Sequence, residues 1–135
     1  MDHPTIGIGV IVLRDGRLLV VQRGRPPGRG LWAVPGGRLE VGETIAEGVV
    51  RELAEETGLV GTPRGLCGIA ERIGPDHHIV IHDWWVDVEG DAEPVAGDDA
   101  VAVAFVSRPE LLALPLVPLL EDFLREHGVW DLMRP

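Results

Sequence analysis

Residues 37–59 read GRLEVGETIAEGVVRELAEETGL, and the reading of this stretch decides the fold. Thr44 to Thr57 is predicted to be a helix. Thr44 stands as its N-cap, and Glu47, three residues on, completes a capping box. Gly58 suits the position just past the last turn, where the chain turns left-handed. At about 100° per residue, Ala46, Val49, Val50, Leu53 and Thr57 share one arc, which is assigned to the core. Glu52, Glu55 and Glu56 fall in a separate arc and are related as i, i+3 and i+4, so their side chains converge. Carboxylates at that spacing repel by roughly 0.2–0.5 kcal/mol per pair. One reading is a solvated acidic face partly offset by Arg51. The other is a hard-cation site, because Mg²⁺ and Mn²⁺ prefer carboxylate oxygens and water.

Working outward, Thr5–Leu13 (TIGIGVIVL) and Arg17–Arg23 (RLLVVQR) are apolar, β-branched runs joined by Asp15-Gly16, the signal of a hairpin turn. A Gly/Pro/Arg loop follows (24–30), then LWAV (31–34), then Pro35-Gly36-Gly37, which must turn. Beyond the helix, strands are predicted at Leu66–Ala70, His78–Val88 and Ala100–Val106, with a short helix at Arg108–Ala113. A terminal helix is predicted over Pro115–His127, with Pro115 and Pro118 confined to its first turn. Strands, a helix, more strands and a helix predict a mixed α/β domain.

The whole chain has 135 residues, the size of one domain, assigned to 1–135. Hydrophobic residues make up 45%, enough for a core. Twelve Lys and Arg stand against 22 Asp and Glu, a net charge of -10, which argues against binding nucleic acid through its phosphates. No run approaches the roughly 20 apolar residues that span a bilayer, and the first residues carry no signal-peptide pattern. Cys67 is the single cysteine, so no internal disulfide forms. These features lead us to expect a cytoplasmic protein without a membrane partner. His78 and His82 sit roughly 13 Å apart along one strand face, too far to ligate one zinc ion.

Read from Gly37, the sequence matches GX5EX7REUXEEXGU at every defined position: Gly37, Glu43, Arg51, Glu52, Leu53, Glu55, Glu56, Gly58 and Leu59. With average residue frequencies, a chance match in a chain of this length has a probability on the order of 10⁻⁸. This is the signature of the Nudix hydrolases, which the chain closely resembles. The flanking elements fit that family's α/β/α sandwich with a mixed β-sheet. The resemblance implies hydrolysis of a nucleoside diphosphate linked to another moiety. It makes Glu52, Glu55 and Glu56, with Arg51, the catalytic set. It has the three glutamates hold Mg²⁺ or Mn²⁺, with the carbonyl of Gly36 as a further ligand. Arg51 and Glu43 would pair to fix the loop on the helix, with Gly37 and Gly58 as structural members of the box. Metal ions would screen the phosphates from an acidic site and activate the attacking water.

Outside the box, Arg23 ends the second strand, where the family often places an arginine that reaches substrate phosphates. Arg25 and Arg29 are assigned to solvent. Trp84 and Trp85 are neighbours on a strand and point to opposite faces; Trp85 is the candidate for the substrate pocket. Asp98 and Asp99 precede a strand in a region from which the family supplies an extra acid, and Asp99 is favoured as a metal ligand. Pro75, sixteen residues beyond Leu59, is a position associated with ADP-ribose pyrophosphatases. The favoured substrate is therefore ADP-ribose or a similar ADP-sugar, cleaved to AMP and a sugar phosphate. The alternative is a nucleoside triphosphate pyrophosphohydrolase of the 8-oxo-dGTP kind. A non-catalytic nucleotide-binding module is the alternative of another class, set against a box in which every acid is intact. A homodimer is carried over from ADP-ribose-cleaving relatives by analogy alone.

Overall fold

The computed structural model describes residues 3–97 and 99–135. The strands are β1 (Thr5–Ile11), β2 (Leu13–Arg14), β3 (Arg17–Arg23), β4 (Trp32–Ala33), β5 (Gly36–Arg38), β6 (Thr62–Gly74), β7 (His77–Asp87) and β8 (Ala100–Val106). The helices are α1 (Ile45–Thr57), α2 (Arg108–Leu112), α3 (Leu120–Glu126) and α4 (Val129–Leu132). The strands form two four-stranded sheets. One is mixed, ordered β5-β1-β7-β6, with β1 parallel to β7 and the other pairs antiparallel. In the other, β3 pairs with β8 along one edge and with β2 and β4 along the other.

The β3 run Leu18–Val21 is wholly apolar because both of its faces are covered. Leu19 joins the core that β1 builds with α1, together with Ile8, Val10, Val49 and Leu53. Leu18 and Val20 join the opposite core with Ile11, Phe123, Leu124 and Trp130. Helices thus close the strands from two sides, the expected α/β/α arrangement.

Helix α1 begins where predicted. The Thr44 hydroxyl accepts from the Glu47 N–H at 3.1 Å, and the Glu47 carboxylate accepts from the Thr44 N–H at 2.8 Å. Gly58 ends it at φ 72°. The predicted core arc is shifted: Val49, Leu53 and Thr57 are buried, Ala46 and Val50 only half so, and Gly48 and Glu52 are buried instead.

The C-terminal helix is shorter than predicted. Pro115 and Pro118 do not occupy its first turn, because α3 begins at Leu120. The Pro115 carbonyl accepts from the Trp32 N–H, and the Val117 N–H donates to the Trp32 carbonyl. These bonds hold 115–117 alongside β4, and Leu119 at φ 70° redirects the chain. The predicted strand 5–13 also breaks at Val12, leaving the two residues of β2 to pair with β3 beyond the Asp15-Gly16 turn.

Candidate active site

The loop before α1 is pinned by one guanidinium. Arg51 donates from Nη2 and Nε to the two oxygens of Glu43, at 2.6 and 3.0 Å. This bidentate geometry is the strongest form of the pair. Its remaining N–H groups reach Glu52 at 2.8 Å, Glu55 at 3.3 Å and the Arg38 carbonyl at 3.0 Å. Arg51 holds the Glu43 carboxyl down at about 2, with the Glu40 N–H adding to the effect. The sequence expectation that Glu43 and Arg51 tie the loop to the helix matches this geometry. So does the role of Gly37, where any Cβ would lie 2.5 Å from the Glu52 carboxylate.

The three glutamates lie within the last six residues of α1, at the negative end of its dipole, with no basic residue in the last turn. Anions there are disfavoured. Glu52 is 8% exposed, tucked beneath Gly37. The Gly36 N–H donates to Glu56 at 3.3 Å. Burial pushes the Glu56 carboxyl up to about 8; neighbouring Glu52 adds to this, while the Gly36 N–H and Arg23 oppose it. Glu55 stands outermost and exposed. Among the described residues, no three His, Cys, Asp or Glu side chains are gathered at metal-ligand geometry. Arg51 engages both Glu52 and Glu55.

The helix end opens on a cleft of about 530 Å³, within the usual size of a small-molecule site. Glu52, Glu55, Glu56, Gly36 and Gly37 form one wall, and Arg23, Arg25, Val34 and Asp99 line it too. Arg25 is exposed, as the sequence predicts, and forms a solvent-exposed ion pair with Asp99 at 2.9 Å. The Asp99 segment is strapped to α1: the N–H groups of Val95 and Gly97 bond the carbonyls of Thr57 and Glu56. Gly97 packs so closely on Glu55 that a Cβ has no room. Asp98 lies outside the described residues.

The cleft gathers Arg23, Gly36, Gly37, the three glutamates and Asp99, but not Pro75 or Trp85. Pro75 sits exposed in the two-residue turn between β6 and β7. Trp85 packs against the core beneath α3 and α4, and Trp84 against the α1 core, so the two do point to opposite faces. Asp83 on β7 escaped the sequence reading. It is 6% exposed, and burial pushes its carboxyl up to about 7. Its signal was a lone acid, beside His82, within the run IVIHDWWV that is apolar at every other position.

Comparisons with known proteins agree with this geometry. Residues 3–127 match the family model described as the NUDIX domain. The chain is 35% identical over 127 residues to an ADP-ribose pyrophosphatase of Methanocaldococcus jannaschii, covering 91% of this chain and 75% of that one. It is 32% identical over 123 residues to a CTP pyrophosphohydrolase of Escherichia coli K12, covering 87% and 89%. Its fold superposes on a MutT NUDIX hydrolase from Burkholderia pseudomallei with a TM-score of 0.78 at 26% identity, covering 92% and 98%.

Proposed function

The chain belongs to the NUDIX domain family, and from that premise we propose that it hydrolyses ADP-ribose or a related ADP-sugar to AMP and a sugar phosphate. It is a Nudix pyrophosphohydrolase acting on small nucleotides, and enzymes of this family generally use divalent metals. The observation that carries the reading is the placement of Glu52, Glu55 and Glu56. Three carboxylates share a helix end that repels them, and one is pushed up to about 8 by burial. A fold gains nothing from that arrangement unless a cation completes it.

The donor set fits a hard divalent cation, since carboxylate oxygens and a backbone carbonyl are its preferred ligands. Glu52, Glu55 and Glu56 would hold Mg²⁺ or Mn²⁺, with the Gly36 carbonyl and Asp99 as further ligands. When bound, the metal supplies charge neutralisation at the phosphates and activation of water.

The chain's own residues do the rest. Arg51 and Glu43 fix the loop, so that Gly36 and Gly37 lie against the glutamates. Arg23 brings positive charge to the same cleft and suits a phosphate oxygen. Water adds to a phosphorus of the pyrophosphate and the bridging P–O bond breaks, leaving one phosphate on each product.

The CTP-hydrolysing relative favours a second reading, a nucleoside triphosphate cleaved to a monophosphate and pyrophosphate. Product analysis after incubation with ADP-ribose, GDP-mannose, CTP and 8-oxo-dGTP, each with Mg²⁺ and then Mn²⁺, separates the two. AMP and ribose 5-phosphate formed fastest supports the first reading. Pyrophosphate from a triphosphate, with ADP-ribose untouched, replaces it with the second.

A further inference from the structure

The strand register lays one row of residues straight across the mixed sheet: Gly36 on β5, Gly9 on β1, Asp83 on β7 and Gly68 on β6. Residues paired across a sheet point to the same face. Asp83 therefore carries the one side chain in a row otherwise made of glycine. Its carboxylate fills the space above Gly9, where any added Cβ would collide with it, and Val34 borders the same space. Val34 and Gly36 both line the glutamate cleft. On the far side, the His127 ring covers Gly68. The carboxylate thus leans toward the cleft along a floor of bare backbone, about 10 Å from Gly36 by two interstrand spacings. That distance is comparable to the length of a nucleoside.

Asp83 is more than nine-tenths buried, yet among the described residues it accepts no hydrogen bond and joins no ion pair. Arg72, on the same face of β6, favours its charge from a distance without pairing with it. Buried polar groups are almost always satisfied by the protein or by ordered water, so a buried carboxyl without a protein partner is open to a donor from outside. The Asp83 carboxyl is an acid short of donors, which is why burial alone pushes it up to about 7.

We propose that Asp83 is a specificity-determining residue that accepts a hydrogen bond from the amino-bearing edge of the substrate's nucleobase while the phosphates lie at the glutamate end. A carboxylate distinguishes a donor from an acceptor, and the exocyclic amino group is the donor that separates adenine and cytosine from their keto counterparts. Because Gly9 has no side chain, the Asp83 carboxylate can lie over β1 toward Gly36 and the cleft it lines. This inference rests on the nucleotide-hydrolase reading and deepens it.

The test compares kcat/KM within two substrate pairs that differ only in amino against keto at the base edge. They are ADP-ribose against its hypoxanthine analogue, and CTP against UTP. The wild-type protein is expected to prefer the amino member of its substrate pair by about tenfold to a hundredfold. Asp83→Leu is expected to abolish that preference. Should the leucine variant not fold, Asp83→Asn, which offers a donor as well as an acceptor, is expected to shift the ratio toward the keto member. An amino-to-keto ratio near one in the wild type, or one unchanged in the variants, overturns the proposal. If the wild type cleaves neither pair, the ADP-ribose and CTP readings fail separately. Calorimetric binding of AMP against IMP and of CMP against UMP then decides. An amino preference lost in Asp83→Leu upholds the proposal, and equal binding sinks it.

Discussion

Glu52 and Asp83 are the two acids less than a tenth exposed among the described residues, and both fill space beside a strand glycine. Glu52 occupies the place of a Cβ at Gly37, and Asp83 the place of one at Gly9. They differ in company. Glu52 accepts from Arg51 at 2.8 Å, within an ion cluster that also takes in Glu43, Glu55 and Glu40. Asp83 has only the distant Arg72. The comparison teaches that burial alone does not decide what an acid does. An acid with a committed guanidinium is held in place by it, whereas an acid without one is left to be completed by a ligand.

The largest expected effect breaks the glutamate end. Glu56→Gln removes a carboxylate from the proposed metal site while keeping its shape and the Gly36 N–H contact. Hydrolysis is expected to fall by about 10³-fold or more, several kcal/mol of transition-state stabilisation. Thermal unfolding without metal is expected to show a variant at least as stable as the wild type, because a charge disfavoured by burial is gone. Activity unchanged in the variant would remove Glu56 from the site.

Next in size is a pH effect at Asp83. Its folded carboxyl is raised to about 7 from an ordinary 3.8 by burial, so the folded state holds this proton more tightly than the unfolded chain does. Stability is therefore full below about pH 4 and is lost as pH rises to about 7. The ceiling is about 4 kcal/mol for a shift of that size. The titratable groups facing it are Arg72, which opposes the shift, Cys67, whose thiol is itself pushed up to about 11, and His127, whose ring covers Gly68 beside it. Urea unfolding across pH 4–8 should show this slope in the wild type and a flatter profile in Asp83→Asn. Parallel profiles would mean that Asp83 is hydrated or paired in solution.

The two ends were not equally legible in the sequence. Glu52, Glu55 and Glu56 are neighbours on one helix, so their convergence follows from 3.6 residues per turn. The capping box and Gly58 fixed that helix with local rules. The row Gly36, Gly9, Asp83, Gly68 draws on four strands spread over more than seventy residues, and it exists only once register is known. Within the β6–β7 hairpin the two-residue Pro75-Asp76 turn places Gly68 opposite Asp83, because the ladder runs unbroken from the turn to that pair. The parallel β1–β7 pairing that sets Gly9 beside Asp83 joins strands far apart in the chain, and no local pattern contains it. The same limit explains the terminal helix. Its apolar spacing was visible, but the hydrogen bonds of 115–117 to Trp32 were not.

The glycines offer a matched pair of smaller perturbations. Gly37→Ala sets a methyl against the Glu52 carboxylate, and Gly9→Ala sets one against Asp83. Each is expected to displace its acid and lower kcat/KM by about tenfold to a hundredfold, the cost of disturbing a charged hydrogen bond. The split between substrates carries the information. Gly37→Ala should slow amino and keto substrates alike, because the damage lies at the phosphates. Gly9→Ala should slow the amino member more. If both variants slow all substrates equally, the two acids belong to one functional unit and the comparison between them collapses.

The smallest effect is expected at Pro75, the position that sequence resemblance ties to ADP-ribose cleavage. It is exposed at the tip of the β6–β7 turn and does not line the cleft. A proline in a two-residue turn restricts the backbone whatever the substrate. Pro75→Ala should therefore change kcat/KM for ADP-ribose by less than about twofold, and the unfolding free energy by no more than about 0.5 kcal/mol, as is typical of a surface change. The β6–β7 hairpin carries both Asp83 and its partner Gly68, however, seven or eight residues back from the tip along either strand. A loss of ADP-ribose activity well beyond twofold, with Asp83→Leu showing no change in base preference, would transfer specificity from the buried row to the exposed turn. It would also restore the proline as the better guide to the substrate.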